Sequence, residues 1–547
     1  MKNLLFWRQS NILSAASVLA GAILLAKALG IIRFWLLTIY VHPVSDLDLF
    51  FAAFRLPDFI FQILIIGAVS TAFIPTITQL ISKGHIELAW KTASTVINIT
   101  MITFSFLSLA VILFTPQLLL FIAPGLTTTP EKSSSIILLT RIMFVGQLFF
   151  ALSIFSSALI QSTKRFLVPA LAPMAYNLGI ILGTVCLYPI FGLVGLAYGV
   201  VAGTILHLLI QVPLVHHLGF RYQPIIDAKL PPVREISKMF VPRTLGLAVS
   251  QLSFTVDTAL ASLLSSTSVT ILNLSQALQQ VPIGLFGATI AQAALPTLSE
   301  EQAKESPANF VRTLLNSFHQ ILFLTMPVAV IFIILRIPIV RLAFGLGNTN
   351  LPWATTVLTA KTLAFFSLGI VAQSLTNLLI RAFYALKDSV TVVKISAAGF
   401  IISIGASLFF VLGLGFPIWA LAASSATGDI ITFGFLLLFL SKLLSFNPKD
   451  LFLPAVKILI AGAVTGLALY IPLKLLDQLV FDTTKTIPLL VLTGSVSSLG
   501  LSVYLFLAWL LDIKELESFI GLIRQIKKIK QIWTTPTEVV ETVETNG

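Results

Sequence analysis

The chain has 547 residues, of which 57% are hydrophobic and only 10% charged, with a formal net charge of +12. A soluble globular chain carries roughly a quarter charged residues, so this composition excludes a string of soluble domains and places the chain in the membrane class. The positive balance does not point to nucleic acid, because the basic residues gather in alternate loops between apolar runs.

Those runs are about 20 residues or longer, the length that crosses the hydrocarbon core as a helix. Barrel strands would alternate in stretches of about ten, and these runs do not alternate. The reading is therefore an all-α integral membrane protein with about fourteen transmembrane helices. In chain order the spans centre near Leu24, Ile65, Phe104, Phe150, Ile180, Ala202, Ser250, Gly284, Leu324, Leu368, Ile401, Phe433, Val464 and Ser498. Lys2 and Arg8 precede the first run, which extends from about Asn11 to Ile32, too long for a signal-peptide core, so it reads as a retained helix.

Loop charge sets the orientation. With the N-terminus cytoplasmic, the inside loops hold Lys83, Lys91, Lys164, Arg165, Arg221, Lys229, Arg234, Lys238, Lys304, Lys387, Lys442 and Lys449, while the opposite loops are nearly bare. That asymmetry predicts both termini in the cytoplasm and an even number of helices. The tail cluster Arg524, Lys527, Lys528 and Lys530 reads as a basic amphipathic segment on the anionic leaflet, followed by a disordered acidic end.

An internal repeat is visible. Gly67 to Pro75 (GAVSTAFIP) recurs as Gly287 to Pro296 (GATIAQAALP), with one inserted residue, and weaker echoes join the segments around Lys164 and Lys387. Each half would hold six helices in the same orientation, as in parallel-repeat transporters. The expected organisation is an N-terminal lobe (1–217), a cytoplasmic linker (218–240), a C-terminal lobe (241–445), two extra helices (446–512) and a cytoplasmic tail (513–547).

Charge at the centre of a membrane helix costs at least about 2.5 to 3.5 kcal/mol, so the charges that persist there are informative. In the first two helices these are Lys27, Arg33, Arg55 and Asp58. Lys27 and Arg33 are six residues apart on one broad face, and Arg55 precedes Leu56-Pro57, a point of kinking. Together they predict a hydrated cationic cavity suited to an anionic group, phosphate above all; the alternative is that Lys27 and Arg33 snorkel to the interface. In the second half, Asp257, with Ser253 one turn back, and Asp429 are candidates for a cation site or proton relay, with Ser407 a further oxygen if its helix packs alongside. A helix-to-helix hydrogen bond is the plain alternative for each acid.

Cys186, the single cysteine, excludes an intrachain disulfide and reads as a small core residue. The six histidines are placed mostly at loops and helix ends. No Walker motif, dinucleotide fingerprint, metalloprotease motif or nucleophile elbow occurs, so no enzyme, metal or organic cofactor is expected and transport must run on a gradient or downhill.

The segment Asp48-Leu-Phe-Phe-Ala-Ala-Phe-Arg55-Leu-Pro-Asp58, followed by Gly67 to Pro75, resembles the second helix of the MurJ/MviN lipid II flippases. Pro242 to Gln251, Pro282 to Gly287, Leu295 to Ser299, Ala382 to Asp388, and Pro169 to Pro173 with Asn177 are similar to further stretches of that family, and the likeness covers about residues 10 to 445. The resemblance implies the MOP-superfamily fold, two six-helix lobes around a cavity with two further helices forming a lipid-tail groove. It also implies outward flipping of the undecaprenyl-pyrophosphate-linked peptidoglycan precursor across the bacterial cytoplasmic membrane, with that lipid and cell-wall synthesis proteins as partners. Lys27 and Arg33 stand where the family has two cavity arginines, and Arg55 where it commonly has a lysine. Gln276-Ala277 replaces an acidic-basic pair, Phe61 or Gln62 a further arginine, and Ile66 a glutamate. Asp257 matches a family sodium-site residue, whereas Ser407 falls near an expected asparagine, so sodium and the proton both remain open as coupling ions. A flippase for another polyprenyl-linked oligosaccharide, a superfamily antiporter and a non-transporting cell-wall scaffold are the other readings.

Overall fold

The computed structural model describes residues 12–69, 73–347, 350–444, 448–479, 481–483, 485–517 and 519–521, and no strand occurs among them. Lys2, Arg8, the repeat positions 70–72 and the basic tail cluster lie outside the described residues.

The long helices are α1 (Ile12–Tyr40), α2 (Asp46–Ile66, continued by Ile74–Ser82), α3 (Ile86–Ile122), α4 (Pro130–Ser162), α5 (Leu167–Phe191), α6 (Leu193–His217) and α7 (Pro231–Leu263). They continue as α8 (Ser268–Ala303), α9 (Pro307–Ile334), α10 (Trp353–Ala385), α11 (Ser389–Gly413), α12 (Trp419–Leu444), α13 (Pro448–Leu479) and α14 (Thr486–Leu510). Twelve of them are long and apolar enough to cross a membrane. The other two, α1 and α7, have 29 and 33 residues and carry Lys27, Arg33 and Asp257. Each of the fourteen predicted centres falls in a different one of these helices.

Helix ends follow local chemistry. Thr129 caps α4 ahead of Pro130, its side chain accepting from Lys132 N, and Asp388 caps α11 by accepting from Thr391 N at 3.1 Å. Lys164 and Lys387, the two turn residues that echo each other in sequence, both adopt the left-handed conformation, with φ of 62° and 61°. The repeat extends to helix geometry. Wide π turns interrupt α2 at Gln62–Ile66 and α8 at Ile283–Ala288, and end α5 at Gly183–Leu187 and α11 at Phe409–Gly413.

The packing repeats too. In the first half α1 packs on α5, α3 on α4, and α4 and α5 on α6; in the second α7 packs on α11, α9 on α10, and α10 and α11 on α12. One apolar core joins both halves at the end remote from the basic loops, with Leu47, Phe50, Leu272, Phe344 and Phe366 in it. Towards the basic end the core divides, one cluster around Phe73 and Phe155 and another around Phe318 and Phe383. The apolar core is thus shared by the lobes at one end and divided into distinct clusters at the other. α13 packs on α14 and on α9, fixed by Tyr504 donating to Phe323 O at 2.9 Å and Lys457 donating to Leu511 O at 2.7 Å. The outer faces of the pair stay apolar and exposed, as at Leu467, Ile471 and Ile487.

Lipid offers no hydrophobic drive between helices, so close backbone approach carries much of the packing. Gly183 of α5 lies against Gly199 of α6, and a Cβ on either would overlap the other's Cα. Gly183→Val is expected to pry this pair apart at a cost of about 1–3 kcal/mol and to lower the melting temperature of purified protein. Gly21→Ala, with open space around it, should leave the melt unchanged.

Two features differ from the sequence reading. Cys186 is exposed on the outside of α5 rather than buried. His207 is buried within α6, paired with Ser153 Oγ at 2.6 Å while Gln211 ties Ser153 and Ser157 to the same cluster. His319 is likewise buried in α9 against Leu451 O at 3.1 Å. These imidazoles cement helix pairs, a use that spacing along the chain does not show.

The linker is bound to the first lobe. Tyr222 donates to Asn98 Oδ1 at 2.8 Å, Asn98 Nδ2 donates to Gln223 O and Ile225 O, and Gln223 N donates to Ser94 Oγ. Lys91 closes the strap on Asp227 at 3.0 Å, and the ammonium holds that carboxyl below its usual range.

Candidate functional site

Pro57 lacks an N–H and cannot bond the carbonyl of Ala53, so α2 breaks at Phe54 and restarts at Arg55. The break sends Arg55 across the seam between the lobes. Its Nη2 donates to Asn273 Oδ1 of α8 at 3.4 Å, and its guanidinium carbon lies 5.6 Å from the ring centre of Phe254 on α7. Asp58 and Asp257 both act on it electrostatically. Its buried Nε has no hydrogen-bond partner, a donor left open in the seam.

Asp58 accepts from Gln62 Nε2 at 3.4 Å. Arg33 rests over the ring of Phe34 at 4.7 Å and interacts with Tyr176 of α5, which also feels Asp58. Lys27 is exposed in the seam, where a Cβ on Gly284 in the π turn of α8 would sit 3.6 Å from its Nζ. The α8 positions that face Arg55 and Lys27, Asn273 and Gly284, are eleven residues apart, about 16 Å of helix. Lys27 and Arg55 therefore form a two-rung ladder along the seam rather than a single cluster, with Arg33 beside it over Phe34 in the first lobe.

Behind the seam, a cavity of about 710 Å³ opens between α7, α8, α10, α11 and α12. Ser253, Asp257 and Asp429 line it, and Phe254 forms the wall shared with Arg55. Asp257 is 5% exposed, and the two carboxylates lie near enough to interact. Asp429 Oδ2 is buried without a hydrogen-bond partner. Ser407 is fully buried on α11 and is not among the lining residues. The structure brings Ser253, Asp257 and Asp429 to one cavity and leaves Ser407 beside it.

A lobe-to-lobe contact that the sequence reading passed over is made by Asp48, noticed only as part of a motif. It is 2% exposed at the start of α2, remote from the basic end. Its carboxylate accepts from Thr267 N at 2.8 Å, Thr270 N at 2.7 Å and Thr270 Oγ1 at 2.5 Å. A carboxylate from one lobe thus caps the first turn of α8 in the other, where free N–H groups and the helix dipole favour negative charge. Nearby, Trp35 Nε1 donates to Leu346 O at 3.0 Å, Thr38 Oγ1 to Phe344 O at 2.9 Å, and Gly125 N to Ser262 Oγ at 3.1 Å. This end of the seam is shut. The other half is closed as well, since α7 lies so near α2 that a Cβ on Gly67 would meet Thr244 Oγ1 at 2.9 Å. The available signal for Asp48 was an acid inside an apolar helix start.

Arg141 and Lys361 are exposed; Arg141 Nε donates to Ile112 O and Lys361 sits 4.6 Å from the ring centre of Trp419. Among the described residues no group of three or more His, Cys, Asp or Glu side chains could hold a metal ion.

Comparison with known proteins gives the same architecture. A lipid II flippase MurJ of Burkholderia cenocepacia is 26% identical over 413 residues, covering 74% of this chain and 79% of its own. A probable lipid II flippase MurJ of Thermotoga maritima is 28% identical over 500 residues, covering 90% and 96%. The solved structure of a lipid II flippase MurJ in an inward closed conformation superposes with a TM-score of 0.74 at 23% identity, over 90% of this chain and 97% of that one. An inward-facing multidrug MATE transporter of the MOP superfamily reaches 0.62 at 13% identity, over 78% and 94%. The family model described as lipid II flippase MurJ matches residues 43–511, and the chain belongs to that family.

Proposed function

We propose that the protein moves the undecaprenyl-pyrophosphate-linked peptidoglycan precursor, lipid II, from the inner to the outer leaflet of the bacterial cytoplasmic membrane by alternating access. The observation that carries this reading is the pair Lys27 and Arg55 on a seam closed at both ends, with Arg33 a third cation beside it in the first lobe. Guanidinium groups match phosphate oxygens in pairs, and a low-dielectric seam strengthens each bond. The lipid tail need not enter, because the exposed faces of α13 and α14 offer an apolar path outside the cavity. In this reading the basic end and both termini face the cytoplasm, Asp48 latches the periplasmic end, and transport proceeds as the lobes rock about the seam. Cell-wall synthesis proteins that consume the flipped precursor are the natural partners. Complementation of a flippase-depleted strain tests the function: growth supports it, and no growth despite normal membrane levels overturns it.

The coupling ion belongs to the second lobe. Asp257, Asp429 and Ser253 offer the oxygen donors a hard monovalent cation takes, and the unpartnered Asp429 Oδ2 fits that use. A bound cation would neutralise a pair of like charges there. Asp257→Asn is expected to remove stabilisation of the purified protein by sodium, and Ser253→Ala to weaken it less. If the wild type is not stabilised by sodium and Asp257→Asn flattens the pH dependence of transport, the proton is the ion. Normal transport by Asp257→Asn under all sodium and pH conditions would remove both roles.

A further inference from the structure

A second hollow, of about 350 Å³, lies on the outer face of the second lobe between α10, the end of α11 and α12. Leu368 and Ile430 line it and are about half exposed, so it opens sideways, towards lipid. It shares no lining residue with the large cavity. α12 turns Ala423, Thr427 and Ile430 to the hollow and Ser425, Asp429 and Thr432 to the cavity on its other face.

Its upper wall is a run of stacked rings. Phe410 stacks on Phe416 at 6.1 Å, Phe416 on Trp419 at 5.3 Å, and Phe365 of α10 on Trp419 at 4.8 Å. Rings fixed against one another cannot swing in to fill the space, so the hollow is preformed. Lys361 stands at the rim, its Nζ 4.6 Å from the Trp419 ring centre. It is exposed, makes no ion pair among the described residues, and no carboxylate lines the hollow. A belt tryptophan and a snorkelling lysine need no hollow beneath them. The depth supplies the rest. Trp419 starts α12 at the end remote from the basic loops, and Ile430 lies eleven residues further in, about 16 Å of helix. Half of the hydrocarbon core is about 15 Å thick, so the hollow runs the depth of one leaflet.

We propose that this hollow holds one anionic phospholipid of that leaflet, its phosphate at Lys361 and one acyl chain along α12 from Trp419 to Ile430. The ammonium is a point charge without a protein counter-charge, and a phosphate at the rim supplies one. A zwitterionic headgroup would bring its own cation against Lys361; an anionic headgroup does not. The site is independent of what the protein transports, because it lies outside both the seam and the large cavity.

The test places full-length protein in phosphatidylcholine nanodiscs containing increasing fractions of phosphatidylglycerol brominated on its acyl chains. Bromine quenches tryptophan, and the part of the quenching lost in Trp419→Phe reports the hollow. That part is expected to saturate at a low fraction of brominated lipid. Lys361→Gln should raise the half-saturating fraction about tenfold, as loss of a charge-assisted bond does, and Lys361→Arg should leave it within about twofold. Thr427→Phe, which fills the hollow, should abolish the saturable part. Should that variant not fold, the exposed Lys361 still decides the matter. Quenching that rises without saturating, or that Lys361→Gln leaves unchanged, overturns the site. Equal half-saturation by brominated phosphatidylethanolamine removes the selectivity for an anionic headgroup and overturns it too. Displacement of the brominated lipid by an equal amount of undecaprenyl pyrophosphate would give the hollow to a polyprenyl lipid instead.

Discussion

Arg55→Ala is expected to abolish growth of a flippase-depleted strain while the protein stays at normal levels in the membrane. Arg55 is the cation that reaches from the first lobe to both α7 and α8, and one of its buried donors is unused. A charge-assisted hydrogen bond to phosphate contributes about 1.5–3 kcal/mol, so losing a two-pronged contact removes roughly a hundredfold or more in affinity. Arg55→Lys keeps the charge but not the fork, and should grow slowly rather than fail. Arg33→Ala should fail as well, since it removes the guanidinium that the first lobe holds over Phe34 beside the seam. Full growth with Lys27, Arg33 and Arg55 all replaced by alanine would sink the phosphate role.

The second large effect is expected at Asp48. Replacement by alanine removes three hydrogen bonds to the first turn of α8. Loss of an N-cap alone costs about 0.5–2 kcal/mol, and this cap is charged and buried. The closed end loses that stabilisation while an open end, where water can serve α8, loses little. The balance between the two states should shift about ten- to a hundredfold toward opening. The shift is readable by labelling a cysteine placed at Asn273 with a membrane-impermeant thiol reagent, in a background where exposed Cys186 is replaced by alanine. Labelling from the side opposite the basic loops should rise sharply in Asp48→Ala and modestly in Asp48→Asn. Unchanged labelling would mean that the neighbouring apolar core alone holds the gate.

The sequence displays the direct consequences of burial in lipid. Long apolar runs located every helix, and the cost of buried charge singled out Arg55 and Asp257, because both effects act residue by residue. The echo between Lys164 and Lys387 was readable for a similar reason, since each turn needs the same backbone twist. What the chain hides is pairing at a distance. Asp48 finds its partners 219 and 222 positions away, and nothing near it in sequence announces a helix end to cap. His207 looked like a helix-end residue, yet its role depends on Ser153 of another helix. Phe365, Trp419 and Ile430 are ordinary one by one and form a hollow only once α10 and α12 stand side by side. Cys186 was misplaced because an apolar run does not say which face meets lipid.

The strap on α3 bears on how the protein is made. Every donor and acceptor it uses, from Lys91 to Asp227, is synthesised before α7 begins at Pro231. The first lobe can therefore seal its basic-end polar surface while the second is still on the ribosome. The seam is the reverse: Asp48 and Arg55 wait for Thr267, Thr270, Phe254 and Asn273, all of which arrive later. A nascent chain halted after residue 230 would be a finished half-protein with one raw, charged face.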